Sequence, residues 1–410
     1  MYAAAPGGGY DVASMGGPPV RTTLLPLMRP WIDEADAAAA AEAVRQHLLV
    51  GGGPIGRDAE AELATWLEGR RPLFLNSCTA ALEAAVWLSG AGAGDEVILP
   101  SFTFVSCANA VVRAGAQPVF ADIDRTTLNI DPAAIARLIT PRTRAIMVVH
   151  YGGRACDMGP ILELAARHGL RVIEDAAHAL GARWRERALG TVGDFGCFSF
   201  HATKDIACGE GGALVCREAA DTERAEILRE KGTNRAAFIR GEVHKYTWVS
   251  EGGSLVASDV LAAILRVQLR RLPLILQRKR LLAERLTQRL APVADRITLP
   301  HEWPGIESSW HLYPVLVPAA DREAVLRALH DEGIGAAFHY VPLHDSPYAR
   351  GRWGYGPGDL PVTERLSASL IRLPLFAAMS DADLEDVATA TLRVVTRLVS
   401  PRATFADAPG

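Results

Sequence analysis

From about residue 36 to residue 250, short apolar runs alternate with segments whose apolar residues recur every three or four positions. Apolar runs of this length, bounded by turn residues, read as strands buried on both faces, and the recurrent segments read as amphipathic helices. Strands are expected at Pro72 to Leu75, Glu96 to Leu99, Pro118 to Ala121, Ala145 to Val149, Arg171 to Ile173, Gly196 to Phe200 and Ala213 to Cys216. Between them, Thr79 to Leu88, Cys107 to Arg113, Pro132 to Leu138 and Gly159 to His168 carry the helical period. Such alternation predicts an α/β domain, a mostly parallel central sheet with helices on both faces.

Asp259 to about Leu290 predicts a long amphipathic helix, interrupted or kinked at Pro273, that bridges to a smaller C-terminal α/β domain. There Trp310 to Pro318 reads as a strand and Arg322 to Glu332 as a helix stopped by Gly333. The expected organisation is a flexible extension over residues 1–24, a large domain over 25–258, the bridging helix and small domain over 259–400, and a disordered tail over 401–410.

Composition narrows the class. With 410 residues, 49% hydrophobic and 22% charged, the chain matches a soluble globular enzyme. A formal net charge of -4 gives no support for a nucleic-acid or anionic-membrane partner. No apolar run is long enough to span a bilayer, and the first twenty residues lack both the charged and the apolar region of a signal peptide, so the expected location is the cytoplasm. The six cysteines, at 78, 107, 156, 197, 208 and 216, form no C-x-x-C pair and have no histidine cluster beside them, so they are expected as free thiols and no metal site is expected.

The candidate chemistry lies after the strands. An aromatic strand, Gly196-Cys197-Phe198-Ser199-Phe200, delivers Lys204 into a turn just before Gly209-Glu210-Gly211-Gly212. A lysine partly withdrawn from water there has a lowered pKa and a nucleophilic amine, suited to a Schiff base with a carbonyl, above all with pyridoxal phosphate (PLP). Asn76-Ser77-Cys78-Thr79-Ala80 runs from a strand into a helix, and its exposed amides with the Thr79 hydroxyl form a phosphate cradle. Val172-Ile173-Glu174-Asp175 ends a strand in carboxylates, and Asp175 is placed to hold a pyridine nitrogen protonated. Pro100-Ser101-Phe102-Thr103-Phe104 offers aromatic rings that can stack on a flat heterocycle. Each signal alone has an ordinary structural reading; the four in chain order after strands of one sheet point to PLP.

These segments resemble the DegT/DnrJ/EryC1/StrS family of PLP-dependent sugar-nucleotide aminotransferases, from about Leu25 to Leu398. The resemblance is carried by Ser77-Cys78-Thr79-Ala80, Gly190 to Lys204, Arg229 to Arg235, Lys245-Tyr246-Thr247-Trp248 and Phe338 to His344. It implies the fold-type I architecture, with Lys204 as Schiff-base lysine, Asp175 at the pyridine nitrogen, Phe104 stacked on the ring and His178 near its hydroxyl face. Cys78, Thr79 and Ser199 would hold the phosphate. Ser254 stands where many members carry an Asn that reaches the neighbouring subunit's cofactor, which implies a homodimer with shared active sites. On the substrate side the resemblance implies Tyr151, Lys231, Arg235, Arg240, Lys245, His339 and His344, the cations facing a sugar nucleotide's diphosphate. The implied reaction moves an amine from L-glutamate to C4 of dTDP-4-keto-6-deoxy-D-glucose. The gluco product is expected because Asp175 is followed by Ala176-Ala177-His178 and because an Ala-, Arg- and Gly-rich chain suggests a GC-rich genome, where such enzymes feed antibiotic glycosylation. The galacto epimer, attack at C3 and a PLP-binding regulatory protein are the alternatives.

Overall fold

In the computed structural model, which describes residues 12–401, the alternation read from the sequence becomes a layered α/β domain. The chain enters it through α1 (Glu34–Arg45) and α2 (Pro54–Ala64). There follow β1 (Pro72–Leu75), α3 (Cys78–Leu88), β2 (Glu96–Pro100), α4 (Val105–Arg113), β3 (Gln117–Ala121), α5 (Pro132–Leu138), β4 (Thr143–Val149), α6 (Met158–His168) and β5 (Arg171–Asp175). A small hairpin, β6 (Arg183–Trp184) and β7 (Arg187–Ala188), precedes β8 (Phe195–Ser199) and β9 (Gly212–Cys216), and α7 (Ala219–Arg229) and α8 (Arg235–Ile239) lead onward. The central sheet has the order β1-β9-β8-β5-β4-β2-β3, with β9 antiparallel to both of its neighbours and the other pairings parallel.

Both faces of the strands are apolar because both are covered. In β4, Ile146 and Val148 point into the layer under α2, α5 and α6, whereas Ala145, Met147 and Val149 point into the layer under α3, α4 and α7. Burying each large side chain of this kind contributes about 1.5–3 kcal/mol, so a polar residue in either register would be costly.

One helix, α9 (Asp259–Leu290), joins the two domains. Its first half packs on the large domain through Leu265, Leu269, Leu272 and Ile275, its second on the small domain through Leu282, Leu286 and Leu290. The interruption expected at Pro273 does not occur, since helix continues through all 32 residues. Pro273 lies on the exposed side, and the buried Leu272 and Ile275 hold the backbone in place around it. Asp259, fully buried, accepts the amides of Gly53, Ile55 and Gly56 and so caps α2.

In the small domain, β10 (Ile306–Glu307) pairs with β6, and β11 (Tyr313–Leu316) pairs antiparallel with the later β12 (Leu370–Leu373). Helices α10 (Arg322–Asp331), α11 (Pro347–Trp353), α12 (Pro361–Ser369) and α13 (Asp381–Leu398) complete it. The strand expected from Trp310 starts only at Tyr313, because Trp310 adopts a left-handed φ of 52° that ends any extended run. Residues 12–24, expected as part of a flexible extension, are docked on this domain instead. Val12 is fully buried, the Ala13 and Val20 amides donate to Glu332 at 2.9 Å, and Arg21 pairs with Asp383 and Asp386. The remainder of that extension, 1–11, and the tail beyond residue 401 lie outside the described residues. No described helix is long and apolar enough to cross a membrane, all six cysteines are free, and no described cluster of His, Cys, Asp or Glu could hold a metal ion.

Candidate active site

A cavity of about 530 Å³ opens beyond the ends of β5 and β8, between the large domain and the small one. Lys204 reaches it from the turn after β8, where its amide donates to the His201 carbonyl at 2.8 Å and the Ala202 amide to that of Gly209 at 2.8 Å. Burial pushes the Lys204 amine below the ordinary lysine range, and the Asp175 carboxylate opposes that shift.

Asp175 ends β5 and is 6% exposed. Its Oδ1 accepts the Ala177 amide at 3.0 Å and its Oδ2 accepts the Cys107 thiol at 3.0 Å. Burial pushes the Cys107 thiol up, so it keeps its proton and stays a donor. The carboxylate is thus held from two sides and still lines the cavity.

At the start of α3, Ser77 accepts the Ala80 amide at 3.1 Å, leaving the first-turn amides of Cys78 and Thr79 as the helix's open donors. Thr79 Oγ1 lies 2.8 Å from Ser106 Oγ, and Ser199 at the end of β8 lines the same region. Gly212 of β9 backs this turn so closely that a Cβ there would sit 2.3 Å from the Cys78 nitrogen. Phe104, immediately before α4 and 57% exposed, forms part of the wall.

Three histidines gather opposite. His178 Nδ1 accepts the Gly152 amide at 3.3 Å, and its ring stacks on His311 with centroids 4.3 Å apart. His311 Nδ1 is 3.0 Å from Asp205 Oδ2, and the fully buried Lys279 donates to the other oxygen of Asp205 and to the His311 carbonyl at 3.2 Å. His339 Nδ1 lies 3.1 Å from the Tyr151 hydroxyl. Burial pushes the pKa of His178 and His339 well down and that of His311 down to about 4, so all three rings are neutral at ordinary pH.

Of the residues proposed from the sequence, Lys204, Asp175, Cys78, Thr79, Ser199, Phe104, His178 and His339 come together around one cavity. Tyr151 is buried behind His339 and does not line it. His344, expected beside a sugar pocket, is instead fully buried between Ser101 (2.7 Å) and Glu364 (3.1 Å) and ties the small domain to the large one. The expected phosphate-facing cations stand apart from the cavity of this chain. Arg240 is paired with Glu226 and Glu242, Arg235 with Glu230, and Lys231 and Lys245 are exposed. Ser254 is exposed beside Asn76, whose side-chain amide donates to its carbonyl at 3.3 Å. Sequence reasoning missed His311, Arg372 and the Asp205–Lys279 pair. Only Lys279 left a trace, as a lone charge at a buried position of an amphipathic helix.

The parts suit PLP: open amides for a phosphate, a held carboxylate for a pyridine nitrogen, an exposed ring to cover the heterocycle and a lysine of lowered pKa. Comparison with known proteins agrees. Residues 30–392 match the DegT/DnrJ/EryC1/StrS aminotransferase family. Among curated proteins, the spore coat polysaccharide biosynthesis protein SpsC of Bacillus subtilis is 37% identical over 383 residues, covering 92% of this chain and 98% of SpsC. Among solved structures, the aminotransferase TlmJ from Streptoalloteichus hindustanus superposes with a TM-score of 0.84 at 36% identity, covering 91% of this chain and 99% of TlmJ. The PLP form of Spr1654 from Streptococcus pneumoniae gives 0.85 at 26% identity, covering 92% of this chain and 100% of Spr1654.

Proposed function

The chain belongs to the DegT/DnrJ/EryC1/StrS aminotransferase family, and on that premise we propose that it aminates C4 of dTDP-4-keto-6-deoxy-D-glucose, with L-glutamate as donor, to give dTDP-4-amino-4,6-dideoxy-D-glucose. It is a PLP-dependent sugar aminotransferase of the fold-type I architecture. The observation that carries the reading is that Lys204, of the four lysines in the sequence, is the one lining the cavity that also holds Asp175 and the first turn of α3. That the relative SpsC is named for polysaccharide biosynthesis supports a sugar substrate.

Asp175 would hold the pyridine nitrogen, the Cys78 and Thr79 amides and Ser199 the phosphate, Phe104 the ring face, and His178 the hydroxyl side. PLP, when bound there, would supply an electron sink for the pair left at a deprotonated carbon and a carrier for the amino group. The chain's own residues then do the rest. Lys204 Nζ, whose pKa burial lowers, is the base that would take the proton from the donor's Cα. In the second half-reaction the same Nζ returns a proton to the sugar carbon that receives the amine. The neutral rings of His311 and His339 can bond sugar hydroxyls without adding charge. Ser254 and the exposed apolar residues Phe238, Ile239, Tyr246 and Trp248 suit a homodimer in which each protomer completes the other's site.

The test is product NMR after incubation with dTDP-4-keto-6-deoxyglucose, PLP and L-glutamate. A large H3–H4 coupling with nitrogen on C4 is expected. A small coupling replaces the gluco product by the galacto epimer, nitrogen on C3 overturns the regiochemistry, and no amine overturns the substrate.

A further inference from the structure

The backbone around Asp175 is fixed from both sides of its strand. The His150 amide donates to the Asp175 carbonyl at 3.1 Å, and the Ala176 amide donates to the Cys197 carbonyl at 2.8 Å. What remains free is the side-chain torsion. The Ala177 amide that bonds Oδ1 lies two residues on and turns with the same loop. Cys107, 68 positions away in the first turn of α4, is the one group of another element, among the described residues, that bonds this carboxylate. Cys107 is fully buried, and its Sγ lies 3.0 Å from Asp175 Oδ2 and 3.2 Å from Thr103 Oγ1. A thiol has one hydrogen and an ionised carboxylate has none to give. The thiol therefore donates to Asp175, and the Thr103 hydroxyl donates to the sulfur, so both donors run toward the carboxylate. The same turn of α4 follows directly on Phe104, on the cavity wall, and carries Ser106, whose hydroxyl lies 2.8 Å from that of Thr79. One helical turn thus reaches the aromatic plate, the phosphate cradle and the carboxylate.

We infer that Cys107, backed by Thr103, is the positioning residue for Asp175: it fixes the carboxylate against α4 and keeps the proton shared with a pyridine nitrogen on that nitrogen. A hydrogen bond to a carboxylate favours its ionised form, so a carboxylate with a donor on Oδ2 competes less well for a shared proton. In a buried site that bias is stronger than in water. Without the thiol the proton moves toward oxygen, and a ring with an unprotonated nitrogen withdraws fewer electrons from the reacting carbon. Cys107 does not line the cavity, so it acts only through Asp175. The inference rests on PLP binding with Asp175 at its nitrogen, and not on which sugar is used.

The test reads the proton itself. The holoprotein is rebuilt with PLP carrying an NMR-active nitrogen isotope in the ring, and the nitrogen shift is measured with no substrate present. Wild type is expected at the pyridinium position. Cys107→Ala should move the signal toward the free-base position, and Cys107→Ser, which restores a donor, should return it. Thr103→Val, which keeps the shape and loses the hydroxyl, should move it the same way by less. The donor half-reaction is followed by cofactor absorbance with L-glutamate, L-glutamine and L-alanine in parallel and no sugar. There Cys107→Ala should lower the limiting rate about tenfold, the loss of one hydrogen bond to a charged group, and leave the half-saturating donor concentration unchanged. A wild-type nitrogen shift in Cys107→Ala overturns the inference. So does Cys107→Ser behaving like Cys107→Ala, which would reduce the sulfur to packing. If Cys107→Ala does not fold, Thr103→Val carries the test, and an unmoved shift there overturns it. A free-base nitrogen in the wild type overturns it together with the role of Asp175. Because no sugar is present, none of these outcomes depends on whether dTDP-4-keto-6-deoxyglucose is the substrate.

Discussion

Lys279, buried at the middle of α9, donates its ammonium to Asp205, the residue directly after Lys204. The same carboxylate holds His311, whose ring stacks on His178. One buried ion pair therefore links the helix that joins the domains, the turn that carries the lysine and the loop that enters β11. Such a pair is a weak source of net stability, because desolvating both charges offsets their attraction; what it does fix is position.

Removing one partner strands the other. Lys279→Met should lower stability by about 3–5 kcal/mol, read by denaturant unfolding, and Lys279→Met combined with Asp205→Leu should recover part of the loss. A single variant as stable as wild type would show that the pair is not buried in solution.

Gly212 sets how closely β9 approaches the first turn of α3. In Gly212→Ala the new Cβ would meet the Cys78 nitrogen and the Ser77 carbonyl carbon at 2.3 Å, so the turn must move. The expected cost is about 1–3 kcal/mol, with weaker PLP binding measured by cofactor titration. Gly351, within α11 with nothing inside 4 Å, is the control, and its Ala variant should be neutral or slightly stabilising. Equal PLP affinity in both variants would remove the phosphate role of this turn.

Asp175→Asn keeps the shape of the side chain and removes its charge. PLP should remain bound while turnover falls by about 10²–10³-fold, since the pyridine nitrogen would no longer face an anion. Turnover within about tenfold of wild type would place that role elsewhere.

The three cavity histidines give the folded protein a pH dependence on the acid side. In the unfolded chain each titrates near 6.5, whereas burial holds His311 down to about 4 and His178 and His339 well down. Below 6.5 the unfolded chain binds protons that the folded protein does not. Stability then falls as the pH drops, by about 1.4 kcal/mol per pH unit for each histidine, and the His311 contribution levels off below about 4. Melting temperatures of the apoprotein should decline between about pH 6.5 and 5, less steeply in His311→Asn. A flat profile, or an unchanged slope in the variant, contradicts neutral burial.

What was legible in the sequence is what is local. The strand expected from Gly196 to Phe200 forms as Phe195–Ser199, and the one from Ala213 as Gly212–Cys216, because apolar runs and their flanking glycines act over a few residues. That the first turn of α3, Asp175 and Lys204 would gather at one place was legible for the same reason, since each lies at or just after the end of a strand of one sheet. Contacts across long sequence separations were not. Asp205 meets Lys279 74 positions away and His311 106 positions away, and Val20 meets Glu332 312 positions away. Arg372 is invisible on similar grounds, since nothing within Leu370–Leu373 says which wall of the molecule it faces. His344 misled because a histidine beside a motif has no local signature separating a ligand contact from a structural tie.

The most direct test of the central claim uses the scarcity of lysine. The sequence contains only Lys204, Lys231, Lys245 and Lys279. Lys231 and Lys245 are exposed, and Lys279 is engaged with Asp205. Reducing the PLP-loaded protein with borohydride fixes the cofactor to whichever lysine carries it, and peptide mass spectrometry reads the position. The pyridoxyl phosphate group is expected on Lys204 alone, and Lys204→Ala should carry none and turn over no donor. A label on Lys231, Lys245 or Lys279, or normal transamination by Lys204→Ala, contradicts it.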